Sequence, residues 1–323
     1  MTQPVLEVCD VAVHFSNRAG LLSKSSTTVK AVDGVNLAIA SGETLGLVGE
    51  SGCGKSTLSN AITGLLQSTR GSIKIRGREI VGADKGAINE IRRDVQMIFQ
   101  DPASSLDPRS TVGASIGEPL LLRGLAKGVA LKTRVEDLLE QVGLKREFAR
   151  RYPHEFSGGQ RQRIVIARAL ALSPALVICD EPVSALDVSV RAQILNLLVS
   201  LQKRSGVSYL FVSHDLAVVR HICDRVAVMY LGRIVEQATR DVLFGSPKHP
   251  YTKALLSAVL EADPAIQRAK SRNVLGGELP SPSNVPNGCA FHTRCPIATD
   301  LCRQTRPELT TRPDGALVAC HYA

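Results

Sequence analysis

The sequence has few aromatic residues and no tryptophan; phenylalanine and tyrosine make up 4% of its 323 residues. Proteins that bind single-stranded nucleic acid stack the bases on aromatic side chains that lie along a basic groove. Here the basic residues are dispersed, so the net charge of +9 fits an anionic membrane surface better than nucleic acid. We therefore expect no nucleic-acid partner.

Long hydrophobic runs are also absent. No stretch approaches the roughly 18 apolar residues that a membrane-spanning helix needs. The N-terminus carries Glu7 and Asp10 without a basic start, so it does not resemble a signal peptide. With 44% hydrophobic residues, the chain has the composition of a globular protein with room for about two domains. We expect a cytoplasmic protein that reaches a membrane only through partners or its surface.

A glycine-rich motif suited to phosphate binding spans residues 49–57 and is called the phosphate loop below. It follows an apolar run, residues 44–48, and precedes a predicted helix over residues 56–66. Backbone N–H groups of such a loop turn toward phosphate oxygens, Lys55 adds charge at the β- and γ-phosphates, and the Ser56 hydroxyl can bind Mg²⁺. An accidental Lys-Ser pair after a glycine-rich turn is the alternative. The predicted nucleotide-binding residues are Gly49, Glu50, Ser51, Gly52, Cys53, Gly54, Lys55, Ser56 and Thr57.

An acidic pair, Asp180-Glu181, follows the predicted buried strand over residues 176–179. Ligands of open α/β sheets bind at the carboxyl ends of the strands. Asp180 is suited to hold Mg²⁺, and Glu181 to act as the general base that deprotonates the attacking water. A solvated acidic turn is the alternative.

A second anion site is predicted where a polar, glycine-rich turn opens another helix after Phe156. The free N–H groups of that helix start would bind an anion, for which a chain with one phosphate loop has no internal use. The residues concerned are Ser157, Gly158, Gly159 and Gln160.

These motifs, in this order, resemble the ATP-binding-cassette (ABC) family. In that family the signature Leu-Ser-Gly-Gly-Gln contacts the γ-phosphate held by a partner subunit; Phe156 stands where the family usually has Leu. The resemblance implies an α/β P-loop fold, with an ATPase domain at 1–245 and a helical subdomain at about 101–172. The helical spacing of apolar residues 131–142 fits that subdomain. Neither the loop nor the signature is repeated, so a working pair of sites needs a second chain.

Four further residues are assigned by the resemblance alone. It implies that Gln100 joins the metal and water to the surface that touches the membrane subunits, and that Asp187 belongs to a loop exchanged across the dimer. His214 corresponds to the histidine that bonds the γ-phosphate, although a lone histidine at a strand end is more often structural. Phe15 corresponds to the aromatic residue that stacks on adenine; a core-facing phenylalanine is the alternative. A polar insertion, residues 16–30, lengthens the adjacent loop.

The composition shifts after Phe244. His249-Pro250-Tyr251 leads into a short helical stretch through Leu260, followed by a segment rich in Pro, Ser and Gly at residues 276–288. These features resemble the C-terminal extension of ATPases that serve oligopeptide and dipeptide importers, here residues 246–323.

The eight cysteines form two groups. Cys9, Cys53, Cys179 and Cys223 are scattered and read as small apolar residues, whereas four others crowd the end of the chain. In a reducing cytoplasm, clustered thiols favour a metal over disulfides. The thiols alone fit Zn²⁺ or iron–sulfur; the resemblance favours a 4Fe-4S cluster, with zinc, aided by His292 or His321, or unliganded thiols as alternatives. The predicted ligands are Cys289, Cys295, Cys302 and Cys320.

The resemblance implies a peripheral ATPase on the cytoplasmic face of the bacterial inner membrane that energises import of di- and oligopeptides. Its partners would be a homologous ATPase, two transmembrane permease subunits and, indirectly, a periplasmic or extracellular substrate-binding protein. Nickel or glutathione is the alternative cargo. A soluble ABC ATPase acting on nucleic acid or ribosomes would be expected to show a coiled-coil insertion or tandem cassettes, and an exporter ATPase a fused membrane domain.

Overall fold

The computed structural model describes residues 3–17, 27–102, 104–258, 276, 278 and 280–323, and strands and helices alternate along much of them. The strands are β1 (Leu6–Asn17), β2 (Thr27–Ile39), β3 (Thr44–Val48), β4 (Arg70–Ile75), β5 (Arg78–Glu79), β6 (Val95–Ile98), β7 (Leu176–Asp180), β8 (Ser208–Ser213), β9 (Arg225–Tyr230), β10 (Arg233–Thr239), β11 (Thr310–Thr311) and β12 (Leu317–Val318).

The described α-helices are α1 (Lys55–Ile62), α2 (Lys85–Ile91), α3 (Val112–Leu122), α4 (Gly128–Gln141), α5 (Gly158–Leu170), α6 (Val188–Ser205), α7 (Leu216–Ile222), α8 (Arg240–Gly245), α9 (Pro250–Ser257) and α10 (Asp300–Gln304). Two 3-10 helices cover Arg146–Arg150 and Pro153–Glu155. None of the helices in the described ranges is long and apolar enough to span a bilayer.

The chain divides into two compact units. Unit 1 comprises Met1–Leu6, Ile39–Glu43 and Lys74–Phe211, and unit 2 comprises Glu7–Ala38, Thr44–Ile73 and Val212–Ala323.

In unit 1, β6 and β7 pair in parallel, from Val95 opposite Leu176 to Ile98 opposite Cys179. Their carboxyl ends therefore lie at one edge of the sheet, where parallel sheets place their ligands. Helix α3 packs on α4 and α5. The helix expected from the spacing over residues 131–142 is α4, and it buries Val135, Leu138 and Leu139 as one apolar face.

In unit 2, the fully buried strand β3 pairs in parallel with β9, and β9 pairs antiparallel with β10. The strand predicted at residues 44–48 is confirmed as β3. Its apolar sequence follows from burial on both faces of the sheet. The predicted helix at 56–66 is too long. Helix α1 ends at Ile62, and Gly64 then takes φ 68°, a left-handed conformation that terminates helices.

The C-terminal residues are an integral part of unit 2. Strand β12 adds to the edge of β10, with Val318 opposite Glu236, and β11 adds to β12. Phe291 is fully buried and packs on Tyr230 and Tyr251, with ring centroids 5.3 and 5.4 Å away. Several of the chain's few aromatic side chains thus form one core, a feature that the irregular pattern of this segment did not indicate.

Candidate functional site

The glycine-rich loop connects β3 to α1, as predicted. Gly54 takes φ 108°, and a Cβ there would lie 2.1 Å from the Ala31 carbonyl oxygen, so only glycine fits. Gly54 caps α1 without a side-chain hydrogen bond, so no cap side chain occupies the N–H groups of the first helical turn. Such a helix start attracts anions.

Lys55 lies inside the loop. Its side chain is buried, and Nζ donates to the carbonyl oxygens of Gly49 at 2.8 Å and Glu50 at 3.0 Å. The loop therefore surrounds a positive charge with glycine-rich backbone. The Lys55 ammonium group and the N–H groups at the start of α1 are donors that fit the phosphates of a nucleotide.

Cys53 lies next to this charge, with Sγ 3.7 Å from Lys55 Nζ. Burial raises the pKa of the Cys53 thiol, and the opposing charge of Lys55 does not reverse that direction. Cys53, Cys179 and Cys223 are buried, as expected for small apolar residues; Cys9 is exposed and departs from that expectation.

The acidic pair stands at the end of β7 in unit 1. Gln100 Nε2 donates to Glu181 Oε2 at 3.1 Å, so the structure brings two predicted catalytic residues together. Glu181 takes φ 48°, which is uncommon for a residue with a side chain and costs on the order of 1–3 kcal/mol. Asp180, the last residue of β7, directly precedes it.

The predicted second anion site opens α5, also in unit 1. The Ser157 hydroxyl accepts from Gln160 N at 3.3 Å, and the Gln160 side chain accepts from Ser157 N at 3.1 Å. This reciprocal cap fixes the loop geometry. Phe156 is buried and packs edge-on against Phe148, with ring centroids 5.3 Å apart. Its ring is therefore part of the hydrophobic core.

The residues assigned by resemblance lie on the surface. His214, which directly follows β8, is exposed, and Asp187 is the exposed N-cap of α6. Phe15 on β1 is 44% exposed, so the core-facing alternative for Phe15 is wrong. Most of the insertion at residues 16–30, together with Leu260, lies outside the described residues.

Two residues that contact the phosphate loop were not predicted. The Arg294 guanidinium donates to both Glu50 carboxylate oxygens, at 2.7 and 3.0 Å, and the Tyr251 hydroxyl accepts from Glu50 N at 2.9 Å. Tyr251 belongs to the noted His-Pro-Tyr segment, but no local pattern marks Arg294. The ion pair with Glu50 holds the pKa of Arg294 above its ordinary value.

Two of the four clustered cysteines have raised pKa values. Burial, followed by the charges of the other three thiols, raises the pKa of Cys289 to about 11. Burial and the charges of Cys320 and Cys302 also raise the pKa of Cys295. Even so, no group of three or more His, Cys, Asp or Glu side chains among the described residues is arranged as a metal site.

The two histidines considered as substitute ligands contact main-chain carbonyls. His292 Nδ1 lies 2.9 Å from the Cys289 oxygen, and His321 Nε2 lies 3.0 Å from the Thr305 oxygen.

His249 is buried, with its ring centroid 5.7 Å from that of Phe291, and accepts from Tyr251 N through Nδ1 at 3.1 Å. Burial lowers the pKa of His249 to about 4, and Lys253 adds to the shift. In the unfolded chain the pKa is near 6.5, so the unfolded state binds the proton more tightly. The stabilisation from neutral His249 is complete above about pH 6.5 and is lost as the pH falls toward 4.

We therefore expect the free energy of unfolding to fall by about 2 kcal/mol between about pH 7 and about pH 5 through His249 alone. Urea titrations followed by circular dichroism measure it, and His249→Gln should flatten the decline. The exposed His154→Gln is the control. An equal decline in wild type and His249→Gln would contradict the assignment.

Two regions of the chain match families of known proteins. Residues 32–184 match the family described as ABC transporter, and residues 235–302 match the family described as oligopeptide/dipeptide transporter, C-terminal region. Over 94% of this chain and 92% of the relative, the sequence is 54% identical to "Oligopeptide transport ATP-binding protein OppF" of Salmonella typhimurium. The chain belongs to the ABC transporter family. It is an ATP-hydrolysing transporter subunit, with ATP and Mg²⁺ as its ligands, and the P-loop α/β fold is confirmed.

Other relatives extend the similarity to the whole length of this ABC ATPase. The chain is 49% identical to "Di/tripeptide transport ATP-binding protein DppF" of Pseudomonas aeruginosa over 99% of itself and 98% of the relative. Among solved structures, cbiO1 from Clostridium perfringens matches with a TM-score of 0.66 and 28% identity, covering 75% of this chain and 91% of that one. A dimeric ATP-binding cassette, MJ0796 bound to ADP and Pi, matches at TM-score 0.63 and 31% identity, covering 73% and 98%.

Proposed function

We propose that this chain hydrolyses ATP to energise the import of di- and oligopeptides, as a peripheral subunit on the cytoplasmic face of a bacterial inner membrane. The observation that carries the proposal is the match of residues 235–302 to the oligopeptide/dipeptide transporter C-terminal region. Full-length relatives with peptide-transport names support it. The partners would be two permease subunits, with a substrate-binding protein acting through them.

The domain organisation proposed for this function is an ATPase domain at 1–245, containing a helical subdomain at about 101–172, and an extension at 246–323. The separate matches of residues 32–184 and 235–302 to two different families support a division into two regions. The extension is called the tail below.

In the proposed site, the loop from Gly49 to Thr57 binds the phosphates, and Phe15 stacks on the adenine. Ser56, Gln100 and Asp180 would hold Mg²⁺, which offsets phosphate charge during the reaction. Glu181 takes a proton from the attacking water, and the hydrogen bond from Gln100 orients its carboxylate. His214 donates to the γ-phosphate.

We infer that two ATPase chains pair head to tail, with a homologous but different chain as the partner. Residues 157–160 would contact the nucleotide bound by the partner, and Asp187 would lie in the loop exchanged between chains. Having one phosphate loop and one signature supports this pairing, because the signature is otherwise unused. A similar cassette, MJ0796, is described as dimeric.

The four tail cysteines are proposed to bind a 4Fe-4S cluster, with Zn²⁺ as the alternative. Four thiols form a suitable donor set for either metal, and the segments that carry two of them are adjacent, since Cys289 N donates to the Cys302 carbonyl oxygen at 2.8 Å. Bound cluster would contribute its ligation free energy to the stability of the tail. Nucleotide chemistry does not require it.

Anaerobically purified protein should be brown and contain about four irons per chain. Cys302→Ser should lose the colour and loosen the tail, while nucleotide binding at Lys55 remains. Iron analysis and absorption spectra measure the first result, and limited proteolysis the second. The matched control is Cys9→Ser, outside the cluster. Stoichiometric zinc without iron would replace the cluster assignment, and a tail ordered without metal would remove its structural role.

The cargo is tested in cells that lack this gene and carry it back on a plasmid. Uptake of a labelled tripeptide, labelled glutathione and nickel is compared. The proposal predicts that the gene restores peptide uptake. Restoration of nickel or glutathione uptake alone would contradict it.

A further inference from the structure

Two residues of the tail form hydrogen bonds with Glu50, a residue of the phosphate loop. Arg294 makes a two-pronged ion pair with the Glu50 carboxylate, at 2.7 and 3.0 Å, and only 6% of the Arg294 side chain is exposed. Such a paired fork fixes direction as well as distance. The Tyr251 hydroxyl also accepts from the Glu50 main-chain N–H at 2.9 Å. The main chain and the side chain of Glu50 are therefore both held, by residues 201 and 244 positions away in the sequence.

The main-chain carbonyl of Glu50 contacts Lys55, the lysine proposed to bind the phosphates. The carbonyl oxygen accepts from Lys55 Nζ at 3.0 Å. A rotation of the peptide at Glu50 would move that carbonyl. Glu50 is thus the single residue that connects Arg294 and Tyr251 of the tail to the Lys55 ammonium group.

The main chain of Arg294 is held by a contact within the tail. Its N–H donates to the Phe291 carbonyl at 3.0 Å, and the Phe291 ring packs on Tyr251 at 5.4 Å. Cys295 follows Arg294 directly, and Cys289 lies five residues before it. Order among these cysteines and the placement of the guanidinium therefore depend on the same short segment.

We propose that Arg294 is a positioning residue for ATP binding, which fixes Glu50 and, through it, Lys55. The tail and the nucleotide then stabilise each other, because a linkage between two sites acts equally in both directions. This inference rests on the proposed role of residues 49–57 as the nucleotide loop. It gives the tail a second effect besides its own folding: an ordered tail raises the affinity for ATP.

The test is a titration of the full chain with a fluorescent ATP analogue and Mg²⁺. Arg294→Met should weaken binding about 5- to 150-fold, the usual range for coupled sites, and Arg294→Lys should fall between it and wild type. Glu50→Gln should weaken binding, and the double variant with Arg294→Met should be no weaker than the single ones. Arg303→Met, which removes an exposed arginine paired to Asp300 in the tail, should bind like wild type.

A second measurement separates positioning from mere tail stability. In wild type, bound nucleotide should slow hydrogen exchange of amides in residues 289–302, and Arg294→Met should abolish that slowing. Wild-type affinity in folded Arg294→Met, or additive losses in the double variant, would overturn the inference. If Arg294→Met does not fold, Arg294→Lys and Glu50→Gln decide by the same criteria. Lys55→Ala with unchanged affinity would instead overturn the assignment of the loop.

Discussion

Glu181→Gln should abolish ATP turnover while the transporter still binds ATP. In the wild-type protein Gln100 Nε2 donates to Glu181 Oε2 at 3.1 Å. The amide of the variant keeps the size of the carboxylate and can accept the same hydrogen bond, but it takes no proton from water. Loss of a general base typically costs ~10²–10⁴-fold in rate. Phosphate release by the complete transporter measures turnover, and retained radiolabelled ATP measures binding.

The matched control for this variant is Glu140→Gln, which neutralises an exposed carboxylate on α4 that is paired with Arg146. It should leave turnover unchanged. The proposed partner ATPase carries the corresponding substitution in this experiment, so that its own site contributes no hydrolysis. Full hydrolysis by Glu181→Gln in that complex would show that another group is the base.

Ser157→Ala should impair the binding and hydrolysis of the nucleotide held by the partner chain, and should leave those of the nucleotide held by this chain unaffected. The hydroxyl caps α5 within its own chain, and loss of a cap costs about 1 kcal/mol. Loss of a preorganised donor to a reacting phosphate is larger, ~10²-fold or more in rate. Photo-crosslinking of a labelled ATP analogue, read out separately on each chain, distinguishes the two sites.

Thr111→Ala provides the matched control for Ser157→Ala. Thr111 caps α3 in the same unit, and its hydroxyl accepts from Ala114 N at 3.2 Å. This variant loses a comparable cap but should leave both nucleotides unaffected. If Ser157→Ala reduced crosslinking on its own chain more than on the partner, the head-to-tail arrangement would be wrong.

The sequence predicts those parts of the fold whose signals are local. Strands β3 and β7 appear as buried apolar runs, and the loop at Gly54 follows from glycines needed where the backbone approaches Ala31. The sequence does not predict the end of α1, because Gly64 lies within a helical pattern and only its left-handed conformation shows that the helix has ended. Glycine within a helical stretch is ambiguous until its φ is known.

Contacts between distant segments could not be predicted in the same way. Arg294 and Glu50 form their ion pair across 244 positions, and a single arginine beside a cysteine carries no local pattern. The tail also lacked a regular apolar period, yet Phe291 and Val318 are buried in unit 2. Both segments have their partners elsewhere in the chain, so tertiary packing and not local propensity determines their structure.

The most direct test of the central claim is ATP-driven accumulation of a labelled tripeptide in proteoliposomes that contain the complete transporter. Lys55→Ala removes the charge that the phosphate loop encloses, 2.8 Å from the Gly49 carbonyl oxygen. We predict that this substitution in this chain alone greatly reduces accumulation, whereas Arg303→Met accumulates peptide like wild type. Undiminished accumulation by the Lys55→Ala transporter would contradict the claim that ATP bound by this chain energises peptide import.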